Sequence, residues 1–180
     1  PEAEAGDDKE ADEGQVVEFD GSDSSDNVGI DSFEWVFGDG DEGSGPFPEH
    51  IYADNGNFTV KLKVTDDAGN SDTDTLKVTV SNVAPEADAN GPYMGIEGFR
   101  VEFEGSYQDP GTEDDHTFLW NFGDGTASPE QNPEHTYSNN GTYNVTFTVT
   151  DDDGGVGTDQ TTAIIADQIP DASFTEVPLQ

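Results

Sequence analysis

The chain has no cysteine and very few cations: its 180 residues include 5 Lys and Arg against 41 Asp and Glu. Without cysteine, neither a disulfide nor thiol chemistry is available. The formal net charge of −36 excludes nucleic acid as an expected partner and disfavours anionic membrane surfaces, because both are bound through clustered Lys and Arg. No run of about 20 apolar residues suggests a membrane helix, and no signal peptide is recognisable. The abrupt ends are typical of a segment from a longer protein.

Such acidity has two general interpretations. Low hydrophobicity combined with high charge is typical of intrinsic disorder. An acidic solvent face on a folded domain is the alternative, and it is favoured because the apolar residues follow a strand period rather than being scattered. Dissolved salt screens the repulsion, so adaptation to high salt in a halophilic source is the preferred explanation. Dense binding of divalent ions is the second.

An internal repeat organises the sequence. FEWVFGDG at 33–40 recurs as FLWNFGDG at 118–125, PEHIY at 48–52 as PEHTY at 133–137, and VTDD at 64–67 again at 149–152. Each pair is offset by 118 − 33 = 85 residues, and PDASF at 170–174 resembles the start of another copy. We therefore predict one domain at 1–84, a second at 85–169 and the first strand of a third at 170–180.

Within each copy, apolar and polar residues alternate between turns rich in Gly, Asp, Asn and Pro. Phe58, Val60, Leu62 and Val64 are one such run, with Lys61 and Lys63 on the opposite face. This alternation predicts an all-β fold and shows no helical period. About seven short strands in each repeat are typical of an immunoglobulin-like β-sandwich. Trp35 and Trp120 fit the position of the central core tryptophan.

The ordered motifs Trp-x-Phe-Gly-Asp-Gly, Pro-x-His-x-Tyr and Val-Thr-Asp-Asp resemble those of the PKD (polycystic kidney disease) repeat, twice over. The resemblance covers residues 1–170 and implies two tandem immunoglobulin-like sandwiches. In prokaryotes it implies extracellular spacers and ligand-binding modules of surface-layer proteins, adhesins and secreted proteases, collagenases and chitinases.

Calcium is the cofactor that the sequence suggests. In a sandwich of this topology, the start of the first strand, the B–C loop and the F–G turn gather at one pole. Such a pole can supply the six to eight oxygens that Ca²⁺ requires, and the PKD resemblance points to ligands in the same segments. In so acidic a chain, however, carboxylates also reach any pole by chance. The predicted ligands are Asp7, Asp26 and Asp66 in the first repeat and Asn90, Asp109 and Asp151 in the second, with Asp114 and Asp115 nearby.

Other motifs have structural interpretations or none. The Gly-Asp-Gly triplets are turns, and His50 and His135 lack the partners that a metal or catalytic site needs. Asn57, Asn140 and Asn144 begin N-glycosylation sequons. No nucleophile elbow, phosphate loop or zinc motif is present, so we expect no enzyme activity in this segment.

We expect a non-catalytic spacer, stalk or adhesion module of a cell-surface protein, located outside the cell. Its partners are neighbouring PKD-like modules of the same chain, and other surface proteins or polysaccharide are candidates. Two alternatives remain open. One is an accessory substrate- or carbohydrate-binding module of a secreted hydrolase, and the other is a virion or filament surface protein.

Overall fold

A computed structural model describes residues 1–168, which are built from strands, turns and loops without a helix. The all-β prediction is confirmed. The predicted strand at 170–180 lies outside the described residues. Two compact units form. The first comprises residues 1–85, 109–115 and 151–155, and the second comprises, among the described residues, 86–108, 116–150 and 156–168.

The first unit is a sandwich of a five-stranded sheet, in the order β1-β7-β6-β3-β4, and the strand pair β2-β5. The long strands β6 and β7 pair antiparallel, whereas the edge strand β1 runs parallel to β7. Their inward residues alternate with outward polar ones, as the sequence predicts. The strands are β1 (Lys9–Asp12), β2 (Val16–Glu18), β3 (Ile30–Val36), β4 (Glu42–Ser44), β5 (Glu49–Ile51), β6 (Gly56–Asp66) and β7 (Ser71–Ser81).

The second unit repeats this plan. Its five-stranded sheet has the order β13-β12-β15-β16-β9, with the pairs β10-β14 and β11-β8 beside it. The edge strand β9 is again parallel to its neighbour, β16. The strands are β8 (Glu86–Asp88), β9 (Tyr93–Ile96), β10 (Arg100–Glu102), β11 (Ser106–Gln108), β12 (His116–Asn121), β13 (Ala127–Ser128), β14 (Glu134–Thr136), β15 (Gly141–Asp151) and β16 (Val156–Ala166).

Each unit has its own core around a tryptophan. Trp35 and Trp120 are almost fully buried, and each indole nitrogen donates to a backbone carbonyl, that of Gly45 or Gln131, at 3.0 Å. These bonds satisfy the only polar atom of each buried ring, which an apolar core requires. The tryptophans therefore take the central core position that their sequence context predicts.

A buried tyrosine in each unit offers a test of the core. The hydroxyl of Tyr137 donates to the carbonyl of Phe122 at 3.1 Å, and Tyr52 makes the same bond to Phe37. Because the ring stays in place while a buried carbonyl loses its donor, Tyr137→Phe should lower the free energy of unfolding by about 1 kcal/mol. Urea denaturation measures this. The control is Tyr143→Phe, which removes a hydroxyl whose bond to the carbonyl of Asn139 is exposed to solvent and which should therefore cost less stability. Equal stability of Tyr137→Phe and wild type would contradict the assignment.

Candidate metal site

An acidic cluster lies within the first unit. Carboxylate oxygens of Glu13, Asp109 and Asp114 all lie within 4.8 Å of one another. Asp54, Asp114 and Asp153 form a second group by the same measure, so Asp114 belongs to both. The cluster therefore comprises five carboxylates, with four of them arranged around that of Asp114.

Glu13 reaches the cluster from the turn that follows β1. Its backbone N–H donates to the carbonyl of Ser81, and its Oε1 accepts from the N–H of Val83 at 2.6 Å. These bonds hold a side chain that is only 2% exposed, yet its Oε2 is buried without a hydrogen-bond partner. A buried acceptor without a donor is costly, and a cation, a proton or a water molecule would offset that cost.

The loop at 109–115 supplies the next two carboxylates. Asp109 accepts from the N–H of Gly111 at 3.1 Å, and the N–H of Asp115 donates to Asp152 at 3.0 Å. Both carboxylate oxygens of Asp114 are buried without a hydrogen-bond partner. The loop thus fixes Asp114 through its backbone and leaves its carboxylate available.

Electrostatics make the cluster unfavourable on its own. Burial, followed by the charges of Glu13, Asp109, Asp54 and Asp151, raises the pKa of Asp114 to about 6. Burial and the charges of Asp109, Asp54 and Asp151 also raise the pKa of Glu13, although the N–H of Val83 opposes this. Like charges held close together disfavour ionisation, and a bound cation would remove that penalty.

The donor set suits calcium. Oxygens that each lie about 2.4 Å from one ion can be at most about 4.8 Å apart, and oxygens of Glu13, Asp109 and Asp114 lie within that limit of one another. The ligands are all hard carboxylate oxygens, without the nitrogen or sulfur that zinc prefers. The unpartnered oxygens of Glu13 and Asp114 are those that such an ion requires.

The structure brings two of the three ligands predicted in the second repeat to this region. Asp109 lies in the cluster, and the charge of Asp151 acts on both Glu13 and Asp114. Asp151 accepts from the N–H of Gly155 at 2.7 Å and from the amide of Asn82 at 3.2 Å. Asn90 instead donates to the carbonyl of Glu104. The asparagine beside Asp151 is therefore Asn82, not the predicted Asn90.

Two of the three ligands predicted in the first repeat already accept hydrogen bonds from protein N–H groups. Asp26 accepts from the N–H groups of Val28 and Gly29, which lower its pKa. Asp66 accepts from Ala68 and Asn70 within its own turn. Asp7 is exposed and lies in neither acidic group described above. Protein donors thus largely satisfy Asp26 and Asp66.

A third group, made of Asp39, Asp41 and His50, has a structural explanation. His50 stacks on Phe37 with ring centroids 4.2 Å apart, and its Nε2 lies 2.5 Å from Asp39. His135 repeats the arrangement on Phe122 with Asp124, where Thr126 occupies the position of Asp41. Because the pair recurs without the third ligand, it holds the Gly-Asp-Gly turn against the core.

Glu13 and Asp54 were not predicted, and one signal for Glu13 was available. Glu-Gly recurs at 13–14 and 97–98, at the repeat spacing of 97 − 13 = 84. The N–H of Glu97 donates to Ala166 as that of Glu13 donates to Ser81. An acid that occurs at the same position of both repeats stands out from the other acids of the sequence, and this distinguishes Glu13. Asp54 has no such signal, because the equivalent residue of the second repeat is Asn139.

A single glycine tests the position of Asp114. A Cβ on Gly111 would lie 2.6 Å from both carboxylate oxygens of Asp114, so Gly111→Ala should displace that side chain. Ligand-positioning changes typically weaken metal binding by about 10- to 100-fold, and we expect a loss of that size for Ca²⁺. Calorimetric titration measures it, with the exposed neighbour substitution Thr112→Ala as the control. Unchanged affinity would exclude Asp114 as a ligand.

Comparison with known proteins identifies the family. The sequence model of the PKD domain family matches residues 1–80 and, separately, residues 82–166. The chain belongs to the PKD family. The predicted resemblance is thereby confirmed, with two PKD domains in tandem. PKD modules are typically non-catalytic accessory domains, although the relatives found here include enzymes.

Relatives match only in part. Collagenase ColQ1 of Bacillus cereus is 40% identical over 88 residues, which are 48% of this chain and 9% of that protein. The PKD1 domain of the Vibrio cholerae metalloprotease PrtV is 34% identical. The match covers 47% of this chain and 99% of that domain, with a TM-score of 0.40. The insect immune protein hemolin, at 14% identity and a TM-score of 0.55, shares the fold over 92% of this chain and 46% of its own.

The chain spans about a tenth of the length of the curated relatives it matches. Within residues 1–168 no helix is long and apolar enough to cross a bilayer.

Proposed function

We propose that the tandem PKD domains are a non-catalytic extracellular spacer whose first unit is stabilised by calcium. The supporting observation is the cluster of Glu13, Asp109 and Asp114, in which oxygens of Glu13 and Asp114 are buried without a protein donor. Calcium there would replace repulsion by attraction and hold the loop at 109–115 and the turn after β1 in one arrangement.

The extracellular location rests on the relatives, among them a collagenase and a pre-pro-metalloprotease. A spacer attached to a secreted hydrolase and a stalk of a surface protein use the same modules. Calcium would stabilise the modules in either protein, because the chain has no cysteine and therefore no disulfide to stabilise it.

Equilibrium binding tests the calcium proposal. In chelator-treated chain at pH 7.5, we expect Ca²⁺ to bind and Glu13→Gln or Asp114→Asn to weaken binding at least about tenfold, because each removes a ligand charge. Glu102→Gln removes the same charge from an exposed strand and should bind as wild type does. Equal affinity in all four proteins, or no binding, would exclude this site.

The salt adaptation is the second part of the proposal. The net charge of −36 destabilises a compact chain by self-repulsion unless ions screen it. Among the cations, Lys63 pairs with Glu34 at 2.8 Å and Arg100 with Glu134 at 2.6 Å, both on the surface. Two exposed ion pairs contribute little stability, so dissolved salt must provide most of the screening.

A further inference from the structure

The turn between β3 and β4 of the first unit brings three metal-binding side chains together. Carboxylate oxygens of Asp39 and Asp41 and a ring nitrogen of His50 all lie within 4.8 Å of one another. Asp39 lies in the Gly-Asp-Gly turn, Asp41 directly follows it, and His50 is the central residue of β5. The N–H of Phe37 donates to the carbonyl of Asp41 at 3.0 Å and closes the turn. We call these three side chains the turn cluster.

Packing holds the imidazole of His50 in one position. The ring stacks on Phe37 with an angle of 4° between the ring planes, and it meets Tyr52 edge-on at 4.7 Å between centroids. The side chain of His50 is 9% exposed, and its Nε2 lies 2.5 Å from Oδ2 of Asp39. A ligand whose orientation is fixed before binding makes a metal site more precise. The buried ring therefore presents a nitrogen to the turn in an orientation that is already set.

The second unit provides a matched comparison, because the same turn occurs there with a different third residue. His135 stacks on Phe122, and its Nε2 lies 2.7 Å from Asp124. Thr126 occupies the position of Asp41, and its hydroxyl donates to Asp124 at 2.6 Å. The pair of histidine and aspartate is thus common to both units. Holding the turn against the core explains that pair, but it does not explain Asp41.

The carboxylate of Asp41 is unfavourable in this position by itself. An ionised carboxylate has no proton to donate, so it cannot make the bond to the neighbouring aspartate that the hydroxyl of Thr126 makes. The backbone N–H of Asp41 donates to Asp39 at 3.0 Å, but no group within residues 1–168 donates to its carboxylate. Two carboxylates held close together repel each other. A cation bound by Asp39 and Asp41 would replace that repulsion by attraction.

The ligand types favour a transition-metal ion over calcium. Ca²⁺ takes oxygen ligands, whereas an imidazole combined with carboxylates suits Zn²⁺ and related ions. Two ligands at about 2.1 Å from a tetrahedral ion lie about 3.4 Å apart, so the pair of His50 and Asp39, now at 2.5 Å, would have to open by about 1 Å. The side chain of Asp39 is 22% exposed and can make this movement while the stacked ring stays in place.

A cavity beside the turn cluster has room for a further ligand. Its volume is about 300 Å³, and Asp39, Asp41 and Asn55 are among the residues that line it. Zinc with three protein ligands completes its coordination with water, and a water molecule occupies about 30 Å³ in the liquid. The Nδ2 of Asn55 is buried without a hydrogen-bond partner. A metal-bound water oxygen would be the acceptor that this amide lacks, and this observation is independent of the three protein ligands.

From these observations we propose that Asp39, Asp41 and His50 bind Zn²⁺ or a similar divalent transition-metal ion, with water as the fourth ligand. The ion cross-links the turn after β3 to β5, a connection that this chain cannot make by a disulfide because it has no cysteine. None of the three ligands belongs to the acidic cluster around Asp114. The proposal therefore goes beyond the spacer function and does not rest on calcium binding.

Calorimetric titration of the whole chain with Zn²⁺ at pH 7 tests the proposal. Millimolar Ca²⁺ is present to occupy sites made only of oxygens, because Asp54 of the acidic cluster also lines the cavity. We expect one zinc site in wild type, and Asp41→Thr, which installs the residue of the second unit, should weaken it at least about tenfold. Glu42→Thr removes the same charge from the next, exposed residue and should bind as wild type does. No zinc binding, unchanged affinity of Asp41→Thr, or an equal loss in both variants would overturn the proposal.

The second unit also allows a test by gain of a site. Thr126→Asp supplies the missing carboxylate beside Asp124 and His135, in a turn closed by the same backbone bond from Phe122 at 3.1 Å, and should add a second zinc site. NMR signals of the three histidine rings locate each ion. Zinc should shift the signals of His50 in wild type, and those of His135 as well in Thr126→Asp. An unshifted His50 ring in zinc-saturated wild type, or no second site in folded Thr126→Asp, would contradict the proposal.

Discussion

Calcium should raise the melting temperature of the chelated protein by about 10 °C or more. A ligand at 100 times its dissociation constant adds about 2.7 kcal/mol to the stability of the state that binds it. For a domain of this size, each kcal/mol shifts the midpoint by about 4–8 °C. Binding also offsets the burial and the repulsion that raise the pKa of Glu13 and of Asp114, the latter to about 6. Calorimetry with and without calcium measures the shift.

Asp114→Asn separates the two contributions. In chelator the variant should be at least as stable as wild type, because it removes a charge that the folded state disfavours. In calcium it should gain much less. Wild type without calcium should also lose stability as pH rises from about 4 to 6, since the folded state then holds a proton that the unfolded state has released. A calcium shift in Asp114→Asn equal to that of wild type would contradict the assignment.

Dilution from 2 M to 0.1 M salt should lower the melting temperature by about 10 °C or more, which corresponds to about 2 kcal/mol. The Debye length grows from about 3 Å at molar salt to about 10 Å at 0.1 M, so most of the 41 carboxylates then repel one another. Melts in NaCl with chelator present measure this without interference from calcium.

Two comparisons isolate screening from general salting-out. Sodium sulfate at matched ionic strength strengthens the burial of apolar groups in any protein, and so it stabilises proteins without any salt adaptation. NaCl and KCl act mainly by screening, and the change in melting temperature in these two salts is therefore the informative measurement. Their effects should be alike and should level off towards molar concentration as the Debye length approaches atomic dimensions. A midpoint that does not change with NaCl would exclude salt adaptation.

The sequence predicted the repeats, the strands and the cores because each depends on local alternation and on comparison of one copy with the other. Trp35 and Trp120 show this, since their motifs recur intact and both tryptophans are buried. The loop at 109–115 was assigned to the metal site for a similar reason: strand order places a B–C loop at a pole of the sandwich.

Individual ligands were harder to predict, because burial of a side chain in a loop is a tertiary property. Glu13 resembles many other acids in the sequence until its backbone bonds to Ser81 and Val83 are known. Asn90 and Asn82 both flank the start of the second repeat, and only the structure shows that Asn82 lies beside Asp151. The choice between them depends on a path through space that residue spacing does not fix.

Anomalous diffraction from crystals grown with calcium tests the central claim most directly. We expect a calcium peak bounded by the carboxylates of Glu13, Asp109 and Asp114, with ligand distances of about 2.3–2.6 Å, and no peak at that position in crystals of Asp114→Asn. A well-ordered wild-type cluster with no peak, or with calcium bound only elsewhere, would contradict the assignment of this site.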